Sequence, residues 1–190
     1  MLVAGIFAVG RLAITADEKK GPPDEKVIAE AMAKAATPGE AHKKIAFMAG
    51  SWELTVTMYM DPTKPNTSKA TSEIKWVMGN RYLEEKVNGD FMGMPFHGQG
   101  WLGYDNLRQT YVGAWIDNMA TGIARSTGTL STDGKTLEMK GEEIDPVTGK
   151  KVATRDVMSI TDNDNYTGNY YRTMEGTEIK VMSIVYKRKK

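Results

Sequence analysis

The chain has 190 residues, enough for one domain with a substantial core, and 25 basic residues stand against 24 acidic ones for a net charge of +1. That balance leaves no electrostatic footprint for nucleic acid, and the one basic cluster, Lys187-Arg188-Lys189-Lys190, reads as a solvated tail. With no cysteine, thiolate metal sites, iron–sulfur clusters, thiol catalysis and disulfides are all excluded.

Met1 to Val9 is almost wholly apolar, and Leu12-Ala13-Ile14-Thr15-Ala16 extends the run past Gly10-Arg11. Residues 1–16 read as a signal peptide with the small residue Ala16 at its cleavage point. Export to the periplasm or beyond is the expectation. The alternative is a buried or membrane-surface helix on a cytoplasmic protein. The run is too short and too interrupted to span a bilayer, and no later segment is apolar enough, so no transmembrane segment is expected.

Residues 17–37 form a linker and an N-terminal helix. Asp17 to Pro23 is charged and rich in Pro and Gly; Asp24 to Ala36 is rich in Ala, Glu, Lys and Met. Val27, Ile28, Ala31, Met32 and Ala35 share one face, which predicts packing on something. Thr37-Pro38-Gly39-Glu40 starts a second helix, with Thr37 as cap, Pro38 in the first turn and Glu40 closing a capping box. That helix carries Ile45, Phe47 and Met48 and stops at Gly50.

From Ser51 the apolar period changes from helical to alternating. Ten strands are predicted: Trp52–Met60, Ser68–Met78, Tyr82–Asn88, Phe96–Tyr104, Thr110–Asn118, Ile123–Leu130, Thr136–Glu143, Val152–Ile160, Tyr166–Thr173 and Glu178–Arg188. Turn residues separate them, Asp61-Pro62, Gly79-Asn80, Asn88-Gly89-Asp90 and Asp133-Gly134 among them. Every connection is too short for a crossover helix, so the sheet is an antiparallel meander. A meander that long closes into a barrel to remove its edges. The predicted class is therefore mainly β, a closed barrel over residues 38–190 with one or two short N-terminal helices. In the last strand apolar residues fall on both faces, which places one side under those helices.

Gly50-Ser51-Trp52 at the start of the first strand resembles the G-x-W signature of the calycin barrels, the lipocalins and fatty-acid-binding proteins. The resemblance implies that Gly50 turns the chain, Trp52 closes the barrel floor and a basic residue of the last strand, Arg188, packs across the indole. Over residues 38 to 188 the chain also resembles the bacterial domain-of-unknown-function family 1579. Pro38-Gly39-Glu40-Ala41-His42, Arg81-Tyr82-Leu83, Met92-Gly93-Met94-Pro95-Phe96, Trp115-Ile116-Asp117 and Asp145-Pro146-Val147-Thr148-Gly149-Lys150 carry that likeness. It implies an often exported calycin-like barrel and no particular activity.

Chemistry is sparse. Gly98-Gln99-Gly100-Trp101-Leu102-Gly103 matches a dinucleotide fingerprint, but a strand rather than a helix follows it, so the glycines serve the barrel wall. Asp162-Asn163-Asp164-Asn165 lacks the Gly and closing Glu of a calcium loop. His42 reads as a helix-surface residue. His97 shares a face with Gln99 and Trp101; if that face is the lumen, His97 could hydrogen-bond a ligand, act as a base or hold an iron. Barrels of the superfamily that bind haem do so through a histidine in the C-terminal part, and none follows His97, so no cofactor or metal is expected.

Trp115 and Asp117 point one way, and Glu85 and Arg155 lie on neighbouring strand faces. A buried carboxylate needs a partner, and Arg155 is the obvious one. The candidate ligand-binding residues are therefore Glu85, His97, Gln99, Trp115, Asp117 and Arg155, with no catalytic residue assigned. Thirteen methionines suit a cavity that accepts varied shapes, with Met58, Met78, Met139 and Met182 on inward faces. The expected function is binding of a small, largely apolar molecule in the lumen of an exported barrel. Two alternatives stand: an enzyme using His97 with Asp117 or Glu85, and a cell-envelope interaction module.

Overall fold

The computed structural model describes residues 24–61 and 63–190; the expected signal peptide lies outside them. Ten antiparallel strands close into one barrel in which each strand pairs with its neighbours in sequence and β1 pairs with β10. The strands are β1 (Gly50–Met58), β2 (Asn66–Val77), β3 (Tyr82–Phe91), β4 (Met94–Asp105), β5 (Thr110–Asp117), β6 (Ala124–Leu130), β7 (Thr136–Ile144), β8 (Lys151–Ile160), β9 (Asn165–Met174) and β10 (Thr177–Arg188). All ten predicted strands are present, with ends shifted by a few residues.

The largest shift is at β3. Asn88-Gly89-Asp90 is not a turn: the strand runs on to Phe91, and the chain reverses at Met92-Gly93, both at positive φ (54° and 84°). Gly89 serves instead the close approach of β2, since a Cβ there would lie 2.7 Å from that of Ala70. The β9–β10 hairpin reverses the same way at Glu175-Gly176, φ 49° and 80°.

Among the described residues, two helices and a 3-10 turn precede the barrel: α1 (Glu25–Ala36), α2 (Glu40–Lys44) and the 3-10 segment Ala46–Met48. The second helix starts later than its sequence suggests. Thr37 instead ends α1, its hydroxyl donating to the Ala33 carbonyl. Gly39 caps α2, and the Gly39 N–H donates to His42 Nδ1 at 3.1 Å. His42 is thus buried rather than on the surface, edge-on to Tyr104. Burial and the Arg81 charge lower its pKa.

The apolar face of α1 does not pack: none of its residues is buried, and Met32 is 67% exposed. Asn106 holds its C-terminal end, its side-chain amide donating to the carbonyls of Lys34, Ala35 and Thr37. Nor do the helices cover β10. Contact runs from α2 to β4, and Val185 on the outer face of β10 is 48% exposed.

The core sits at the end of the barrel where β1 begins. Trp52 is fully buried there with Ile45, Met48, Leu54 and Tyr166. The Trp52 Nε1–H donates to the Met48 carbonyl at 2.8 Å, tying strand to 3-10 turn. Tyr166 meets the Trp52 ring edge-on at 4.8 Å and stacks on Tyr186 at 4.2 Å. Such aromatic contacts add about 0.5–1.5 kcal/mol each beyond burial. Arg188 lies over the same indole, Cζ 4.2 Å from the ring centroid, and donates to the carbonyls of Phe47 and Ala49. One end of the barrel is thereby stopped.

Candidate functional site

Above this floor the barrel encloses a cavity of about 720 Å³. The hairpin loops of the opposite end form its mouth, with Met60, Lys64 and Met92 among its lining residues. Strand alternation decides the wall. Leu54, Val56 and Met58 of β1 point in, as do Ala70 and Ile74 of β2 and Leu83 and Val87 of β3. Met139 and Met182 join them, while Met78 sits in an exposed turn at φ 49°.

Trp115 forms part of the wall, and the glycines of β4 make its place. A Cβ at Gly98 would lie 2.2 Å from the indole, and one at Gly100 2.8 Å. The ring therefore lies against bare backbone. Its Nε1–H donates to Asp117 Oδ2 at 2.8 Å, which fixes its rotation. The glycine pattern that resembles a nucleotide motif is a slot for an aromatic ring.

Polar groups interrupt the apolar lining at a few points. Deep in the lumen, Glu85 accepts from the Ser72 hydroxyl at 2.6 Å. Burial raises the Glu85 pKa; the Ser72 and Tyr186 hydroxyls pull it the other way. Tyr170 and Tyr186 are held well above the usual phenol range, first by burial and then by neighbouring charges, Glu85 among them. Asp156 of β8 faces inward beside Tyr170, its partner in register. Burial, then the Glu143 charge, pushes the Asp156 pKa up to about 6. Nearer the mouth, Arg172 pairs with Glu143 and, at 3.1 Å, with Asp145.

Of the six candidate residues, the structure brings three to the lumen: Glu85, Trp115 and Asp117. The other three are outside. His97 is exposed, its Nδ1 2.8 Å from Asn88 Oδ1. Gln99 donates to Glu84 at 2.8 Å on the outer wall. Arg155 is not the partner of a buried carboxylate. It pairs with Glu178 at 2.6 Å and Glu138 at 3.3 Å, and lies 4.4 Å over the Tyr171 ring. The carboxylates facing it raise its pKa, the Glu178 hydrogen bond most. An acid–base pair of His97 with Asp117 or Glu85 is therefore not formed, because the barrel wall lies between them.

Asp156, Tyr170, Tyr186 and Ser72 are site residues that sequence reasoning did not single out. A signal for Asp156 exists: Val152, Met158 and Ile160 share its face, and three apolar residues outvote the Ala153–Val157 pair beside Arg155. Among the described residues, no group of three or more His, Asp or Glu side chains is placed to hold a metal ion. No helix among them is long and apolar enough to cross a membrane.

These features define a ten-stranded antiparallel barrel with one stopped end and an internal cavity. The model of the family described as protein of unknown function (DUF1579) matches residues 37–188, so the chain belongs to that family. Among solved structures it is similar to the crystal structure of Rv2717c from M. tuberculosis, at 17% identity, covering 81% of this chain and 100% of that one with a TM-score of 0.60. That likeness is one of fold. A redesigned β-barrel matches at 12% identity over 83% of this chain and 96% of its own, with a TM-score of 0.41. No curated protein matches the sequence.

Proposed function

We propose that this protein holds a small, largely apolar molecule in its barrel lumen, as calycin-type barrels do. The observation that carries this is the cavity itself: about 720 Å³, stopped at the Trp52 end and lined mainly by aliphatic, methionine and aromatic side chains. Ligand pockets fall at roughly 300–1,000 Å³ and combine an apolar lining with few polar anchors. Glu85, Tyr170 and Tyr186 supply such anchors, with Ser72 donating to Glu85 from behind the lining. The barrel acts after export, a reading supported by the apolar run and Ala16 at the N-terminus. Native mass spectrometry of protein purified from its source tests the binding. A mass excess lost on denaturation is expected; protein that is always empty, and takes up no apolar probe, would contradict it.

A second reading, attachment to an apolar surface of the cell envelope, rests on the mouth. Met60, Met92, Ile123, Ile144 and Val147 stand exposed on four hairpins of that end. Flotation with phospholipid vesicles tests it: the protein should rise with the vesicles, and should stay behind when Met60 and Met92 are replaced by Ser.

A further inference from the structure

The acids of the lumen outnumber its bases. Of the seven acidic residues along the cavity wall, four hold inward strand positions, Glu85, Asp117, Glu143 and Asp156, and the cations of the wall are paired or exposed. Arg172 is taken by Glu143 and Asp145. Arg125, at the cavity wall, is exposed and on the strand face opposite Ala124 and Ser126. Lys64 is exposed at the mouth. Arg155, the base that could have balanced a buried acid, is engaged on the outer wall.

The four acids are not equivalent. Asp117 accepts from Trp115, and Glu143 is paired with Arg172. Among the described residues, Glu85 and Asp156 have no cationic partner. What surrounds Glu85 is neutral: Ser72 from β2, bare Gly100 from β4 and Tyr186 from β10. Asp156 faces Tyr170 from β9 and Met139 from β7, with Glu143 the nearest further charge and no hydrogen bond offsetting its burial. A carboxylate in such a place is stabilised by any cation that enters with it. An anion would meet repulsion from the same two groups.

We infer that the lumen selects an apolar molecule carrying a basic nitrogen, with Glu85 and Asp156 as its charge partners, and discriminates against fatty acids. This rests on the lumen-binding reading and narrows it to a ligand class. The tyrosines fit the assignment. Tyr170 and Tyr186 stand next to the two acids, and Tyr170 lines the cavity beside Asp156, its partner in register.

Isothermal titration calorimetry at pH 7.5 with decan-1-amine, decan-1-ol and decanoic acid tests this. The three share one chain and differ in head group. The amine should bind at least about 10-fold tighter than the alcohol, and the acid weakest. The E85Q/D156N double variant should lose the preference for the amine, the ratio of amine to alcohol affinity falling to about 1 whatever the change in affinity for the alcohol. Lowering the pH to 5 should shrink that preference in the parent as Asp156 takes up its proton. Binding of the alcohol with no preference for the amine, or a preference that survives in the double variant, overturns the cation assignment alone. Failure of all three to bind overturns the lumen reading and this inference with it. Circular dichroism of the double variant separates loss of binding from loss of fold; should it not fold, E85Q alone must still lower the amine preference.

Discussion

The guanidinium of Arg188 lies 4.2 Å from the centre of the Trp52 indole and leaves no room for a side chain at residue 50: a Cβ on Gly50 would fall 2.3 Å from Arg188 Nη1. First strand, last strand and entry turn are thus fitted to one another. Trp52→Ala should destabilise the fold by roughly 3–5 kcal/mol, as burying a large aromatic requires. Arg188→Ala should cost less, about 1–3 kcal/mol, through the cation–π contact and the carbonyls left unpaired. Gly50→Ala should be destabilising although it adds only a methyl, because φ is +140° and the space is occupied. Urea denaturation of the three variants checks the order.

The Asp156 carboxyl ties stability to pH. Its folded pKa of about 6 lies above the ordinary 3.8. Between those values the folded chain holds more protons than the unfolded one, so this group's contribution is full below about pH 4 and is lost as pH rises through 6. At pH 7.5 the ionised, desolvated group costs up to about 3 kcal/mol. Glu85, also raised, acts in the same direction. Asp156→Asn should therefore be more stable than the parent at pH 7.5, by about 1–3 kcal/mol, and should lose that advantage at pH 4. Denaturation midpoints at the two pH values decide it; parallel profiles would show that Asp156 is not desolvated.

The slot beneath Trp115 should be sensitive to a single methyl. Gly98→Ala puts a carbon where the indole lies, so the ring must swing into the lumen and release Asp117. A loss of about 1–3 kcal/mol is expected for such overpacking, with a changed tryptophan emission. Unchanged stability and spectrum would mean that the ring rests elsewhere.

His97 offers the opposite case. It is exposed on the outer wall with Asn88 as its partner. His97→Ala should change stability by no more than about 0.5 kcal/mol and leave lumen binding as it was. A large loss of binding would return His97 to the site.

The fold was legible because its signals are local. Turn residues at short intervals forced a meander, and Gly50-Ser51-Trp52 with Arg188 marked the floor. The inward faces were harder to read where strands mix polar and apolar residues on both sides. On β4 the outward row holds Trp101, while the inward row holds Gly98 and Gly100, whose apolar bulk is lent by Trp115 on the next strand. No single-strand pattern shows that loan. On β8 an outward Arg155 looked like a buried acid's partner because its own partners lie on other strands, Glu138 on the adjacent β7 and Glu178 on β10 beyond β9. Asn88-Gly89 read as a turn for a similar reason: the glycine answers to Ala70 on another strand.

A lumen that binds a ligand loses that binding when a side chain fills it. Val56 points into the cavity from β1, four residues beyond Trp52 on the same strand face. Titration of a neutral, solvent-sensitive apolar fluorophore into the parent and into Val56→Trp should show saturable one-to-one binding in the parent. The variant, if its melting temperature shows it folded, should bind at least about 10-fold more weakly. Equal binding by a folded Val56→Trp variant, or none by the parent, would contradict the assignment of the lumen.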